Sequence, residues 1–150
     1  MDHYLIIDAR FYDDIADELC AGAIRELENS DATFERESVP GVLEMPTALS
    51  IAFDARGADG EKCFDGFVML GCVIRGETSH YDIVAIESAR AIMDFAVINR
   101  VPVGNGILTV ENRDQAMVRA ATNGKNKGRD AARAAMELLA LKRRMTGRET

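Results

Sequence analysis

This 150-residue chain has no tryptophan, only two histidines, three cysteines and three prolines, and each scarcity removes a class of function. Cys20, Cys63 and Cys72 are odd in number, widely spaced and form no Cys-x-x-Cys, so neither a zinc site nor a disulfide framework is expected. They read as reduced cytosolic thiols. His3 and His80 stand far apart without spaced carboxylates or thiols beside them, which argues against any metal centre. Glycine-rich dinucleotide fingerprints and Walker-type loops are also missing. Positive charge is in deficit: the net charge of -7 argues against a nucleic-acid partner, because a phosphate backbone needs a basic face. The one basic cluster, Lys142 to Arg148, follows a helical pattern, where cations offset the negative end of the helix dipole; a phosphate-rich partner is the other reading. No apolar run reaches the length of a membrane span, and "MDHYLIIDARFYDD" carries acids where a signal sequence carries basic residues. No membrane partner is expected, and cytoplasm is the expected compartment.

What is present is the composition of a globular protein, 47% apolar and 29% charged, and a length that fits one domain, 1–150, around a single core. Short apolar runs alternate with longer amphipathic segments. "HYLIID" (His3 to Asp8) reads as a buried strand. Ile15, Leu19, Ala23 and Leu27 then recur every four residues through Asp13 to Asn29, giving a helix whose start Asp13 or Asp14 would cap. Ala32 to Val39 is a second, partly exposed strand stopped by Pro40-Gly41, and a helix from Pro46 to Arg56 follows. "GADGEK" reads as a surface turn. "FDGFVMLGCVI" is apolar nearly throughout, as expected of a central strand covered on both faces. The helix after it begins near Ser79 to Asp82 and runs to Asn99. A fourth strand (Val101 to Val110), a helix from Arg113 to Ala121, a break at "TNGKNKG" and a helix from Arg129 to Met145 complete the pattern. Strand-helix alternation without tandem strands predicts an α/β fold: a three-layer α/β/α sandwich on a four-stranded parallel sheet, flavodoxin-like. Four strands leave edges that an oligomer would cover.

In such a sheet, ligands collect beyond the carboxyl ends of the strands. "GCVIRGETSHYD" (Gly71 to Asp82) is the most informative segment arriving there. Gly76 frees the backbone to turn, and Thr78 and Ser79 offer hydroxyl and N–H groups at a helix start, which suits an anion such as phosphate. The same residues would also serve as a plain helix cap. Imidazole titrates near neutrality, so His80 beside such a site can accept and donate a proton. Around the glycine-containing break, Arg119, Lys125 and Lys127 form a basic group suited to phosphate, or a solvated turn, with Asp130 placed to hold Arg119. Phe11 and Leu43 could sandwich a flat ring while backbone groups of Val42 to Glu44 bond its edge, although such residues are more often core. The site implied takes a planar polar ring beside a phosphate, with a histidine between them and no cofactor.

"VPGVLEMP", "GCVIRGETSHYD", "VPVGNGILTVEN", "QAMVRA" and "NKGRDAARAAMEL", in this order and spacing, closely resemble the 6,7-dimethyl-8-ribityllumazine synthases of riboflavin biosynthesis, from Phe11 to about Leu141. The resemblance implies a transferase that condenses 5-amino-6-ribitylamino-pyrimidinedione with 3,4-dihydroxy-2-butanone 4-phosphate, releasing phosphate and water, with no metal or redox cofactor. It implies His80 as the proton-transfer residue, Glu77 and Thr78 as holders of the butanone phosphate, and Arg119 as a grip on that phosphate from a neighbouring subunit, assisted by Lys127. Phe11 matches the aromatic that stacks on the pyrimidine; Val42, Leu43 and Glu44 match the segment that binds its ring and ribityl chain; Cys72, Val73 and Ile74 match the strand end beneath it; Asn105 falls at another lining position. Partners are then small molecules and further copies of the chain, as a homopentamer with active sites at subunit interfaces.

Three departures from the family pattern stand out. The aromatic of the family's "PGAFEIP" is Leu43 here, and the aromatic of "FGVLT" is Asn105, so fewer rings would line the pocket, at a cost of roughly 1 kcal/mol per lost contact. The turn "ATNGKNKG" differs from the tighter turn of shell-forming relatives, which points to a free pentamer. Two other readings compete: a lumazine- or flavin-binding relative with poor turnover, suggested by Leu43 and Asn105, and a receiver-like domain, suggested by Asp8. The receiver reading lacks a phosphoacceptor Asp where the third strand ends, at "GCVIRG".

Overall fold

The computed structural model describes residues 1–147, so Arg148 of the basic cluster and the last two positions of the expected domain lie outside the described residues. Strands β1 (His3–Ala9), β2 (Thr33–Val39), β3 (Gly66–Ile74) and β4 (Val103–Val110) form one all-parallel sheet in the order β2-β1-β3-β4. Helices α1 (Asp13–Asn29), α2 (Met45–Phe53), α3 (His80–Asn99), α4 (Arg113–Ala120) and α5 (Lys127–Thr146) cover it, with a 3₁₀ turn at Val42–Glu44 leading into α2. This is the three-layer flavodoxin-like sandwich that the alternation predicts. Boundaries move by a few residues: α2 ends at Phe53 and not at Arg56, and α5 starts at Lys127 and not at Arg129.

Strand pleating explains the layers, because successive side chains point to opposite faces. On β1, Tyr4 and Ile6 join Val68, Leu70 and Cys72 of β3 in one core with Ile15, Leu19, Ala132 and Ala135, beneath α1, α4 and α5. Leu5 and Ile7 join Phe67, Met69 and Val73 in a second core with Met45, Leu49, Val84 and Ile92, beneath α2 and α3. Both faces of β3 are thus covered, which is why its sequence is apolar without alternation. β2 lies at a sheet edge and keeps polar residues on both faces, Glu35, Arg36, Glu37 and Ser38, all exposed.

Two details differ from expectation. Asp13 and Asp14 lie in the first turn of α1 and do not cap it; the cap position is Tyr12, whose side chain makes no capping bond. Their charge still favours the positive end of the helix dipole. On α3, only Val84, Ser88 and Ile92 are buried, while Ile83, Ile86, Met93, Val97 and Ile98 are exposed beside Ile51 of α2. A helix apolar on both sides needs cover on both sides, and this face has none among the described residues. No helix among the described residues is long and apolar enough to cross a membrane.

α5 packs unusually close to β4. A Cβ on Gly104 would stand 1.7 Å from the Ala131 carbonyl oxygen, a backbone atom that cannot give way alone. Gly104→Ala should therefore push α5 off the sheet and cost about 3 kcal/mol or more, read as a lowered denaturant midpoint; an unchanged midpoint would mean that the two elements separate freely.

Candidate active site

The strand order reverses at β1: the chain passes from β1 outward to β2, then back across to β3 and on to β4. In open α/β sheets the crevice at such a reversal is where ligands sit. A groove of about 430 Å³ lies there. Phe11 and Tyr12 after β1, Pro40 to Glu44 after β2, Cys72, Val73 and Ile74 at the end of β3, and His80 and Val84 of α3 line it. Of the residues expected at the ring and proton-transfer positions, Phe11, Val42, Leu43, Glu44, Cys72, Val73, Ile74 and His80 all meet in this groove.

Local packing places each lip. Phe11 is 74% exposed, with its ring edge-on to Tyr12 at 4.9 Å between centroids, and Arg113 lies over the Tyr12 ring at 5.5 Å. An aromatic so exposed at a groove mouth offers a free face for stacking. The second lip is seated by Val42, whose Cγ2 would lie 3.1 Å from a Cβ on Gly71. That glycine lets the 3₁₀ turn settle directly on β3, leaving Leu43 and Glu44 exposed above it. The floor is apolar: Cys72 and Val73 are buried, and burial pushes the Cys72 thiol up to about 11. Such a thiol is neutral near pH 7 and acts as wall, not nucleophile.

His80 is the first residue of α3 and exposed, and its backbone N–H donates to Thr78 Oγ1 at 3.2 Å. The cap residue, Ser79, makes no side-chain capping bond, and its carbonyl accepts from the Asp82 N–H at 3.0 Å, so of the first turn the Tyr81 N–H is the donor left for an anion. Glu77 and Thr78 are exposed on the loop entering that turn, although neither lines the groove itself. Arg75 braces the loop: its backbone N–H donates to the Val110 carbonyl and its Nε to Glu111 at 2.9 Å, while its guanidinium lies 4.2 Å over the Tyr81 ring.

The remaining expected residues gather elsewhere. Asn105, Arg119 and Lys127 line a second cavity of about 360 Å³ along β4, with Asp130 and Ala131, and it shares no residue with the first. Arg119 is half-buried and donates to the Gln115 carbonyl at 3.0 Å. Asp130 does not hold Arg119 as the spacing suggests; it pairs with Lys127 at 3.5 Å and Arg129 at 3.3 Å, its own-helix neighbours. The Asn105 Oδ1 accepts from the Ile107 backbone N–H, so its side chain is engaged along its own strand. Sequence reasoning missed Tyr12, Pro40, Gly41 and Val84 as lining residues; the aromatic pair Phe11-Tyr12 was a usable signal, whereas Val84 looked like any helical core position.

Comparison with known proteins points to one family. The family model for 6,7-dimethyl-8-ribityllumazine synthase matches residues 2–143. The chain is 53% identical over 145 residues to a 6,7-dimethyl-8-ribityllumazine synthase of Agrobacterium fabrum, covering 97% of each chain. It is 56% identical over 140 residues to that of Methylorubrum extorquens, covering 93% of this chain and 80% of the relative. Against 6,7-dimethyl-8-ribityllumazine synthase 1 of Rhodopseudomonas palustris, identity is 52% over 141 residues, covering 94% and 86%.

The neutral state of Cys72 has a direct readout. Its alkylation by iodoacetamide, followed site by site by mass spectrometry, should rise about tenfold per pH unit from pH 7 to 9. A rate already level by pH 8 would mean an activated thiol in the groove floor.

Proposed function

The chain belongs to the 6,7-dimethyl-8-ribityllumazine synthase family, and from that premise we propose that the groove between β1 and β3 is its active site, completed by the β4-side cavity of an adjacent copy. The enzyme is a transferase of riboflavin biosynthesis that condenses 5-amino-6-ribitylamino-pyrimidinedione with 3,4-dihydroxy-2-butanone 4-phosphate, releasing phosphate and water. One observation carries the reading of the site: the groups suited to a flat ring and to proton transfer line one open groove, while the cations suited to phosphate, Arg119 and Lys127, line another, at a sheet edge of the same chain.

In this reading the pyrimidine stacks on Phe11, with Val42 to Glu44 along its ring edge and ribityl chain, above the apolar floor of Cys72 to Ile74. The butanone phosphate sits at the N-terminus of α3, held by Glu77 and Thr78 and by Arg119 and Lys127 of the neighbour. The pyrimidine's amine attacks the ketone and a first water leaves to give an imine, phosphate leaves by elimination, and ring closure with loss of a second water forms the lumazine. His80 takes and returns the protons of these steps, and holding both substrates together supplies much of the rate. The assembly is a homopentamer, which would also cover the apolar face of α3. The chain acts as one domain in the cytoplasm.

Steady-state formation of the lumazine, followed by absorbance, tests the reading. His80→Ala should lower kcat about 100-fold while leaving the KM for the pyrimidine within a few-fold; unchanged turnover would remove His80 from the mechanism. Arg119→Ala should raise the KM for the butanone phosphate about tenfold or more, and wild-type kinetics would place the phosphate elsewhere.

Sharing of the site between subunits has its own test. His80→Ala and Arg119→Ala proteins, unfolded and reassembled together, should regain activity at about a quarter of their sites if each site takes the two residues from different copies of a ring. No recovery above the separate variants would mean that each chain builds its site alone.

A further inference from the structure

Between the two segments that lead into the lips of the groove lies a buried carboxylate that the reaction described above does not use. Asp8, near the carboxyl end of β1, is 0% exposed. Its Oδ1 accepts from the Ser38 hydroxyl, and its Oδ2 from Arg10 at 2.9 Å, from the Cys20 thiol at 3.1 Å and from Arg36 at 3.4 Å. Burial opposes the charged form, yet the hydrogen bonds from Ser38, Cys20 and Arg10 outweigh it and hold the carboxyl below its usual range.

The partners divide between the two lips. Arg10 immediately precedes Phe11, and its guanidinium also bonds Asp13 at 3.1 Å and Asp17, both on α1, so the turn carrying Phe11 is fixed at both ends. Ser38 and Arg36 belong to β2, which runs through Val39 and Pro40 into the turn at Val42–Glu44. β1 and β2 pair in register at Asp8 and Ser38, so one carboxylate ties the exits of the two strands together. Cys20 adds a further donor from α1: burial and its bond to Asp8 push its thiol up to about 12, leaving it a neutral donor.

We propose that Asp8 is a positioning residue for the pyrimidine: through Arg10 on one side and Ser38 on the other, it sets the spacing between Phe11 and the Val42–Glu44 turn, and so the affinity for the flat ring. It touches no substrate. The butanone phosphate lies at the other end of the site, on groups that Asp8 does not contact. This deepens the active-site reading above and rests on it. Substrate affinity gained by preorganised lips is lost when they are free to part.

The test is a split between the two Michaelis constants. Asp8→Asn removes the charge at constant shape, Arg10→Lys removes the fork on the Phe11 side, and Ser38→Ala removes the tie to β2. Each should raise the KM for the pyrimidine, by about fivefold for the weakest and more for Asp8→Asn, with the KM for the butanone phosphate and kcat within about twofold. Should Asp8→Asn fail to fold, the two partner variants decide alone. Both constants rising together, or neither moving, would overturn the proposal. Calorimetric titration with the ribitylamino-pyrimidine reads the clamp without turnover. A wild type that binds but does not react would therefore sink the active-site reading, whereas a reactive wild type with unsplit variants would sink only the clamp.

Discussion

The chain winds in both directions from β1, and the site depends on that reversal. Outward, β1 leads through α1 to the edge strand β2; inward, β2 leads through α2 across to β3. α1 packs in the layer with α5, and α2 in the layer with α3, so the loops that start these helices diverge over the strand ends. One loop carries Phe11 toward the first layer, and the other carries Leu43 toward the second. A groove forms between them because parallel strands bring all their exits to one end while the helices part to opposite faces.

Divergence of the lips also accounts for a charge where β1 is otherwise apolar. An isolated carboxylate removed from water is costly, and it persists only when enough donors surround it. Asp8 meets that condition with donors drawn from α1, from the turn after β1 and from β2. Replacing it by an apolar residue of similar volume could leave the core intact and would leave the two strand exits without a shared anchor. The placement is therefore better explained by the geometry it imposes than by net stability, since buried ion pairs contribute little of the latter.

Periodicity made the layers legible. The apolar run of β3, the four-residue repeat of α1 and the charged β2 each follow from how many faces an element buries, and the structure keeps those assignments with small shifts at the ends. Motif order likewise brought eight of the expected residues into one groove. Less visible were properties that depend on which neighbour arrives first. Asp130 sits one turn from Lys127 and finds it, and Arg129, before Arg119 can reach. Asp8 at the end of a buried strand resembled a receiver's acidic site, because a sequence does not show that Ser38 and Arg10 converge on it from two directions. The apolar stripe of α3 was readable as helix, but not that half of it would lack cover.

That uncovered stripe bears on catalysis. In the proposed mechanism the condensation depends on the relative placement of two substrates, because holding both together supplies much of its rate. In a single chain the groove lined by Phe11 and His80 and the cavity lined by Arg119 and Lys127 have no residue in common, so in the proposed reading one copy alone would not bring the two substrates together. In the proposed ring, one association would both bury Ile83, Ile86, Met93 and Val97 and set Arg119 of one copy toward His80 of the next. Apolar burial between subunits would then supply the free energy that fixes the two half-sites in register. In that reading Leu43, which lines the groove, would bear on affinity for the pyrimidine and leave this register untouched.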